Sequence, residues 1–440
     1  MKRLRDWWTR RGQLAVTLIL CVYYSIYTVR QVRSSFEPDS QQIDNVSLDQ
    51  HVSDFESFYR CALRMKQGLP MYFVDGTGPL EQPSKQAPFF ELLLQPFVPF
   101  GIATTAVFFG VLNLLALLAT LRIGKRLLRD RPGGKELGFG TAVLAMVVLF
   151  ATLQLNVLYF QTAVLLVWLF VLGLSLLVRR PVLAGIVWSA AISMKVLPIV
   201  VLPWMVWRRQ WRCVAGILLG LLATNAAVIA YTGWEKGVSQ YQGFVVMLRD
   251  DPVFREYNER YQSIPPLVRA TVTERYESQI RSTAQKRSWD GVRNFLGQTS
   301  LAKHADALVY AAIGLLLAIC ALVCRPRGPT TTWRFVLEGS LVVIAMLLIS
   351  PLTWRHYYWW VFPGMLAALP AVRERKVWAI VFVGSLLVSE TLMHRGLFGS
   401  LATRWDVFHG RAVALIVAFC ALAAHLARRG PDAQNERSPA

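Results

Sequence analysis

The chain has 440 residues, of which 54% are hydrophobic and 17% are charged, and it carries a formal net charge of +20. Several apolar runs approach the ~20 residues that one membrane crossing needs, so the sequence predicts an all-α polytopic membrane protein and excludes a set of soluble domains. Many of the basic residues lie in short loops between apolar runs, as the positive-inside rule describes, and this excludes a continuous nucleic-acid-binding face. The six cysteines form no CxxC pair and predict neither a disulfide framework nor a tight metal site.

The first predicted span covers residues 13–29. Five basic residues precede it and no small-residue cleavage site follows, so we expect an uncleaved span with a cytoplasmic N-terminus. Residues 30–88 then form a first outer loop. Four apolar residues recur in this loop at helical spacing: Phe55, Phe58, Ala62 and Met65. They predict an amphipathic helix over residues 54–67 that lies in the membrane interface.

Local signals mark both ends of this amphipathic helix. Ser53 and Glu56 have the spacing of a capping box, which leaves Asp54 without a capping role. Gly68 and then Pro70 end the helix. The structural alternative for Asp54 is an acid in a first helical turn, which the helix dipole favours by ~0.3–1 kcal/mol.

Residues 89–99 are apolar but too short to cross a membrane, and two prolines interrupt them, so they predict a re-entrant or interfacial helix. The further predicted spans, in chain order, are residues 101–121, 138–153, 157–178, 213–232, 305–324, 334–350, 356–371, 377–393 and 411–427. Residues 182–207 fit either one tilted span or two short arms that meet near Lys195 and Pro198. The basic residues that follow at 208, 209 and 212 favour the two arms, because these then stay on the cytoplasmic side.

The resulting topology has about twelve spans, both termini in the cytoplasm and two large extracytoplasmic loops. The second outer loop covers residues 233–304 and is long enough to hold helices of its own. Residues 1–430 form a single transmembrane domain, and residues 431–440 are expected to be a disordered cytoplasmic tail. The uncleaved basic N-terminus fits the inner membrane of a bacterial cell.

This topology brings one acid and several cations to the outer membrane surface. They are Asp54, Lys195 and the turn Trp354-Arg355-His356. Cleavage of an ordinary glycoside generally uses two carboxylates, one of which protonates the leaving oxygen. A sugar phosphate needs only a base for the attacking hydroxyl and positive charge for the departing phosphate. The residues therefore predict glycosyl transfer from a lipid phosphate on the extracytoplasmic face.

Several short elements follow one another in a characteristic order: Asp54-Phe55, Phe58-Tyr59, Gly68-Leu69-Pro70-Met71-Tyr72, Ala87-Pro88, Gln161, Met194-Lys195 with Pro198, and Ser350-Pro351-Leu352-Thr353-Trp354-Arg355-His356. Their order and spacing, over residues 15–425, resemble glycosyltransferase family 87, membrane mannosyltransferases of the GT-C fold. The resemblance implies an inverting hexosyltransferase with Asp54 as general base. It also implies a polyprenyl-phosphate-mannose donor and a lipid-linked or glycolipid acceptor.

Two elements depart from the family pattern. The chain has Gln86-Ala87-Pro88 where the family often shows Tyr-Pro-Pro, and Phe160-Gln161-Thr162-Ala163 where it often shows Gly-Gln-x-Asn. These departures bear on the identity of the acceptor, and they motivate an alternative reading as an inactive binding protein of the same fold. A transporter or flippase for a lipid-linked sugar is a further alternative, because broken helices such as 182–207 also mark transporter sites.

Under the transferase hypothesis, Lys195, His356 and Arg355 bind the donor phosphate. Their structural alternatives are a lysine that caps the apex of the two arms and a basic–aromatic belt at the interface. Six further residues are candidate substrate contacts: Glu56, Tyr59, Gln161, Asn294, Gln298 and Trp354. No cofactor and no tight metal site are expected, while a loosely held divalent ion that bridges an acid to the phosphate stays open.

Overall fold

The protein is almost entirely helical in the parts that the structure describes. This computed structural model describes residues 12, 15–26, 28–29, 54–74, 78–79, 84–129, 139–250, 261–272, 304–326, 331–392, 399, 401–402, 405–406 and 409–428. Three expectations concern residues outside these ranges: the capping role of Ser53, the sugar contacts of Asn294 and Gln298, and the disordered tail at 431–440.

Seventeen helices are described below, and all later labels refer to them. They are α1 (Ala15–Ile26), α2 (Asp54–Gln67), α3 (Pro88–Leu94), α4 (Gly101–Arg129), α5 (Phe139–Val148), α6 (Phe150–Leu158), α7 (Ala163–Leu176), α8 (Pro181–Met194), α9 (Val201–Trp207), α10 (Trp211–Thr232), α11 (Trp234–Asp250), α12 (Ile264–Val272), α13 (Ala305–Val323), α14 (Thr332–Ile349), α15 (Phe362–Arg373), α16 (Val377–Leu387) and α17 (Gly410–Arg428). Short 3₁₀ helices cover Val98–Phe100, Leu197–Val200 and Arg355–Val361, and a π-helical turn covers Val388–Leu392. One antiparallel pair of two-residue strands, β1 (Phe73–Val74) and β2 (Gly78–Pro79), interrupts the expected all-α pattern.

The long apolar helices make this a helical membrane protein. Five of the described helices are long and apolar enough to cross a membrane: α4 with the turn before it, α10, α13, α14 and α17. The pair α5 and α6 would make a sixth span, and this span would be broken, because the two helices meet at a bend of 71°. Several predicted spans, including α1, α7 and α8, are shorter apolar helices, so the structure supports the class and not the expected count of twelve.

The bend between α5 and α6 is a difference from the single predicted span at 138–153. The break falls at Leu149, and α6 then packs against the 3₁₀ helix at Arg355–Val361 and the π-helical turn. Two buried polar residues of α6 gain partners in this direction. The Thr152 hydroxyl donates to Glu390 at 2.9 Å, and the Asn156 amide donates to the carbonyl of His356 at 2.9 Å. Buried polar groups need such partners, and a straight helix would point these two side chains away from them.

The segment 182–207 forms two arms, as the basic residues predicted. Helices α8 and α10 run parallel, because Val182 contacts Gly216 while Ser193, further along α8, shares a hydrogen bond of 2.6 Å with Thr224 of α10. The chain between two parallel helices must return to the end from which the first began. Trp188 of α8 and Trp204 of α9 lie side by side, with ring centroids 6.0 Å apart. Lys195 therefore lies at the apex of this hairpin.

Small residues let α8 and α10 approach closely. A Cβ added at Gly185 would lie 2.2 Å from the carbonyl oxygen of Cys213, and one added at Gly216 would lie 2.1 Å from that of Val182. Gly220 follows Gly216 at the spacing that is common at helix contacts in membranes, where close packing is a principal attraction. The hairpin apex is consequently held on a tightly packed helix pair.

The amphipathic helix α2 has the predicted bounds, Asp54–Gln67, and the predicted apolar face is buried. It ends at Gly68, which has a positive φ of 71°. This face packs on α3 and α4, so neighbouring helices cover its apolar residues. The ring of Phe55 lies 5.7 Å from that of Phe109, and the ring of Phe58 lies 5.4 Å from that of Phe90. Aromatic partners from α3 and α4 complete this cluster, and the sequence of α2 alone does not reveal them.

Candidate active site

Asp54 is the first helical residue of α2 and accepts a hydrogen bond from Gln161. The side-chain amide of Gln161 donates to the Asp54 carboxylate oxygen Oδ2. Gln161 lies in the turn between α6 and α7, where its backbone N–H donates to the backbone carbonyl of Asn156 at 2.9 Å. The Asn113 amide of α4 also donates to the Gln161 carbonyl, at 3.4 Å. The turn thus fixes the amide that orients the Asp54 carboxylate.

Lys195 ends α8 at the hairpin apex, with an extended backbone at φ −151° and ψ 127°. The residue is only 8% exposed, and its ammonium group lies 4.4 Å from the ring centroid of Tyr357. The face of an aromatic ring attracts a cation in this geometry. Lys195 and the Asp54 carboxylate are also close enough to attract each other. The structure therefore brings together the acid and the buried cation that the sequence predicted at one site.

The 3₁₀ helix at Arg355–Val361 adds its second residue, His356, to this site. The imidazole packs edge-on against Tyr357, with centroids 4.3 Å apart, and lies within electrostatic range of Lys195. Its Nε2 atom is buried and has no hydrogen-bond partner in the described part of the chain. Buried polar atoms are normally paired, so this unpaired ring nitrogen is a candidate contact for a ligand group. The predicted span at 356–371 begins with this 3₁₀ turn and becomes α-helical only at Phe362.

The environment of Asp54 changes its acidity. The residue is exposed at the edge of α2, yet protein atoms surround its carboxyl group, and this desolvation raises its pKa above the ordinary value. The positive charge of Lys195 and the hydrogen bond from Gln161 act in the opposite direction and lower the pKa. A carboxylate whose pKa lies nearer to neutrality accepts a proton more readily, which is what a general base requires.

Arg355 is held in a buried ion network. Its Nε atom lies 3.5 Å from Oε2 of Glu390, and Nη1 of Arg411 lies 2.7 Å from the other oxygen, Oε1. Asp406 accepts a second bond from Arg411 at 2.8 Å. Two cations and two carboxylates balance one another here, so the charge of Arg355 is already compensated. The predicted contact between Arg355 and a donor phosphate has no geometric support from this arrangement.

Sequence reasoning missed the other three members of this network. Glu390 lies within an apolar segment, and Arg411 opens another one. A charge in an apolar segment is costly and usually has a partner or a function. That signal was present in the sequence, but it does not say which residues pair.

The remaining candidates have structural partners. Glu56 forms an ion pair with Arg60 one turn further along α2. The Tyr59 hydroxyl donates to the carbonyl of Val98 at 3.1 Å. The Trp354 ring packs against Tyr261, at 5.2 Å between centroids. Among the candidate substrate contacts that lie in the described ranges, Gln161 is the one with a hydrogen bond to Asp54.

Another buried acid, Glu91 of α3, was not predicted. It is fully buried, and neither carboxylate oxygen has a hydrogen-bond partner among the described groups. Burial raises its pKa well above the ordinary value, and Ser84 opposes this only in part. Within the described ranges, no three His, Cys, Asp or Glu residues are grouped so as to hold a metal ion.

Comparison with known proteins identifies the chain at the family level. The sequence model described as "Glycosyltransferase family 87" matches residues 87–351, which is more than half of the chain. No curated protein and no solved structure matches the chain. The matched residues include Gln161 and Lys195, whereas Asp54 precedes them and His356 follows them.

Proposed function

This chain belongs to glycosyltransferase family 87, and from that premise we propose that it is an integral-membrane inverting hexosyltransferase. The proposed donor is a polyprenyl-phosphate sugar, with mannose as the sugar, and the proposed acceptor is a lipid-linked or glycolipid hydroxyl. The single observation that carries the proposal is the placement of Asp54 beside the buried Lys195 at the end of the α8 hairpin. One acid and one buried cation suit a leaving phosphate, which needs no proton from the enzyme.

In the proposed reaction, the Asp54 carboxylate takes the proton of the acceptor hydroxyl. The acceptor oxygen then forms a bond to the anomeric carbon while the bond from that carbon to the phosphate oxygen breaks. The electron pair of the broken bond stays on the phosphate, and the ammonium group of Lys195 stabilises the added charge. Attack in line with the departing phosphate inverts the anomeric configuration. The Nε2 atom of His356, which has no hydrogen-bond partner among the described residues, is the proposed contact of this histidine with the donor phosphate.

Asp54→Asn is the direct test of this proposal. Asparagine keeps an oxygen that can accept the bond from Gln161, so the fold should be retained while the base is lost. Purified protein in detergent is incubated with radiolabelled polyprenyl-phosphate mannose and a glycolipid acceptor. We expect turnover to fall by about 10²–10⁴-fold, as for loss of a general base.

Glu235→Gln is the matched control for Asp54→Asn. Glu235 is an exposed acid in the first turn of α11, as Asp54 is in the first turn of α2. If Asp54 acts only on the helix dipole, the two substitutions should have the same small effect. Wild-type turnover in the Asp54→Asn variant would end the proposal.

The two discontinuities, at Leu149 and at Lys195, keep a transporter of lipid-linked sugars as the second candidate, because transporters also use broken helices. Detergent micelles separate the two functions. An enzyme forms product without a sealed compartment, whereas a transporter forms none and moves the lipid in liposomes.

A further inference from the structure

Tyr357 contacts two of the residues that were predicted to bind the donor phosphate. The Lys195 ammonium group lies 4.4 Å from the centroid of the Tyr357 ring. The centroid of the His356 imidazole lies 4.3 Å from that of Tyr357, and the two rings are nearly perpendicular, at 87°. Tyr357 is buried, and a desolvated ring attracts a cation more strongly than an exposed one. Tyr357 therefore joins Lys195 and His356 into one cluster.

The backbone that carries Tyr357 is held from two sides. Its N–H donates to the carbonyl of Trp354 at 2.9 Å, and the carbonyl of the preceding His356 accepts a bond from the Asn156 amide of α6, also at 2.9 Å. The 3₁₀ helix at Arg355–Val361 also packs against α7 and α14. The perpendicular imidazole limits rotation of the Tyr357 ring. The chain thus presents a fixed aromatic face to the lysine at the hairpin apex.

An aromatic face holds an ammonium group without cancelling its charge. Arg355 shows the contrast, because the Glu390 carboxylate and the rest of its buried network already compensate it. A carboxylate in direct contact with Lys195 would likewise compete with the donor phosphate for the positive charge. The quadrupole of a ring attracts a cation but has no net charge. The charge of Lys195 therefore stays available for the departing phosphate.

The attraction between Tyr357 and Lys195 also persists through the proposed reaction. Asp54 attracts Lys195 as well, but its carboxylate loses its charge when it takes the proton of the acceptor. A lysine has a long flexible side chain, so its ammonium group needs another contact at that moment. We propose that Tyr357 is a positioning residue whose ring face holds the Lys195 ammonium group toward the phosphate that leaves the donor. This inference rests on the proposed function.

Aromatic analogues that differ in the charge of the ring face test this role. Phenylalanine and its mono-, di- and trifluorinated forms are incorporated at position 357, since each fluorine weakens the negative face with little change in ring size. From Tyr357→Phe onward, kcat should fall stepwise by about 10- to 30-fold in total, the effect of one desolvated cation–π contact. KM should change less, because the phosphate gains its second negative charge only as it leaves.

Two ordinary substitutions accompany this series. Tyr357→Phe keeps the ring and should retain most of the wild-type kcat. Tyr357→Leu removes the ring and should lose about as much as full fluorination does. A Tyr357→Phe variant as slow as Tyr357→Leu would overturn the proposal, because the hydroxyl and not the ring face would then carry the effect.

Phe362 is the matched control for fluorination. It is a fully buried ring directly after the same 3₁₀ helix, and it stacks on Trp359 with centroids 4.9 Å apart. No cation lies over the Phe362 ring among the residues that the structure describes. The same fluorinated series at position 362 should leave kcat unchanged. Equal effects at both positions, or a kcat that does not depend on fluorine content at position 357, would overturn the proposal.

Failure of the proposed function gives a different result. The wild type would then form no product from polyprenyl-phosphate mannose. Binding of farnesyl phosphate, a monoester that resembles the leaving group, needs no turnover, so titrating the fluorinated series with it decides the role of Tyr357 separately. Affinity that falls with each added fluorine supports this role, and constant affinity overturns it.

Discussion

Removing the negative charge of Glu390 should destabilise the protein more than removing any exposed acid. Both partners in the Arg411–Glu390 pair are almost completely buried, with 1% and 0% of their side chains exposed, and they lie 2.7 Å apart. Glu390→Gln keeps the side-chain volume and leaves the two positive charges of Arg411 and Arg355 with Asp406 as the one remaining carboxylate of the network. Breaking a buried pair in this way typically costs about 3–5 kcal/mol.

Asp306→Asn provides the reference for this experiment. Asp306 pairs with Arg269 at 3.0 Å, but 71% of its side chain is exposed, and exposed pairs contribute ~0–1 kcal/mol. Unfolding of wild type and both variants is followed in the same detergent by denaturant titration. Glu390→Gln should lower the free energy of unfolding by several times the effect of Asp306→Asn. Similar losses for the two variants would refute the reasoning that the network around Glu390 is a buried electrostatic unit.

Three further predictions concern acidity and packing. Gln161→Leu removes a hydrogen bond that lowers the pKa of Asp54, so the acid limb of the pH–rate profile should move to higher pH. An unchanged acid limb would show that Gln161 does not influence the acidity of the catalytic base. Glu91 has a folded pKa well above its unfolded value of about 4.3, so it favours folding below that value and costs stability as pH rises. Melting curves from pH 5 to 8 should therefore show Glu91→Gln gaining stability over wild type, and a constant difference would contradict this. Gly216→Leu should separate α8 from α10, because an added Cβ alone would lie 2.1 Å from the carbonyl oxygen of Val182. Thermal unfolding should show a lower melting temperature for this variant, while Gly314→Leu, at an open position, should melt like the wild type.

Local patterns in the sequence were sufficient for the elements that carry the site. The spacing of apolar residues gave α2 from Asp54 to Gln67, because an amphipathic helix is defined by its own residues. The basic residues after 207 favoured two arms with Lys195 at their apex, and the parallel course of α8 and α10 agrees with this. The family resemblance, from short elements in order, was confirmed at residues 87–351.

Contacts between distant segments could not be read in the same way. Thr152 and Glu390 are 238 positions apart, so neither the bend at Leu149 nor the network around Arg355 follows from a local pattern. The protein surface under α2 was also unpredictable, because an apolar face is equally suited to lipid and to a neighbouring helix.

The most direct measurement of the central claim is sugar transfer by Asp54→Ala in the presence and absence of azide. If Asp54 only removes the proton of the acceptor, the variant should not glycosylate a hydroxyl acceptor, but it should form a glycosyl azide of inverted configuration, since azide attacks without losing a proton. Transfer to the hydroxyl acceptor at the wild-type rate, without azide, would contradict the account.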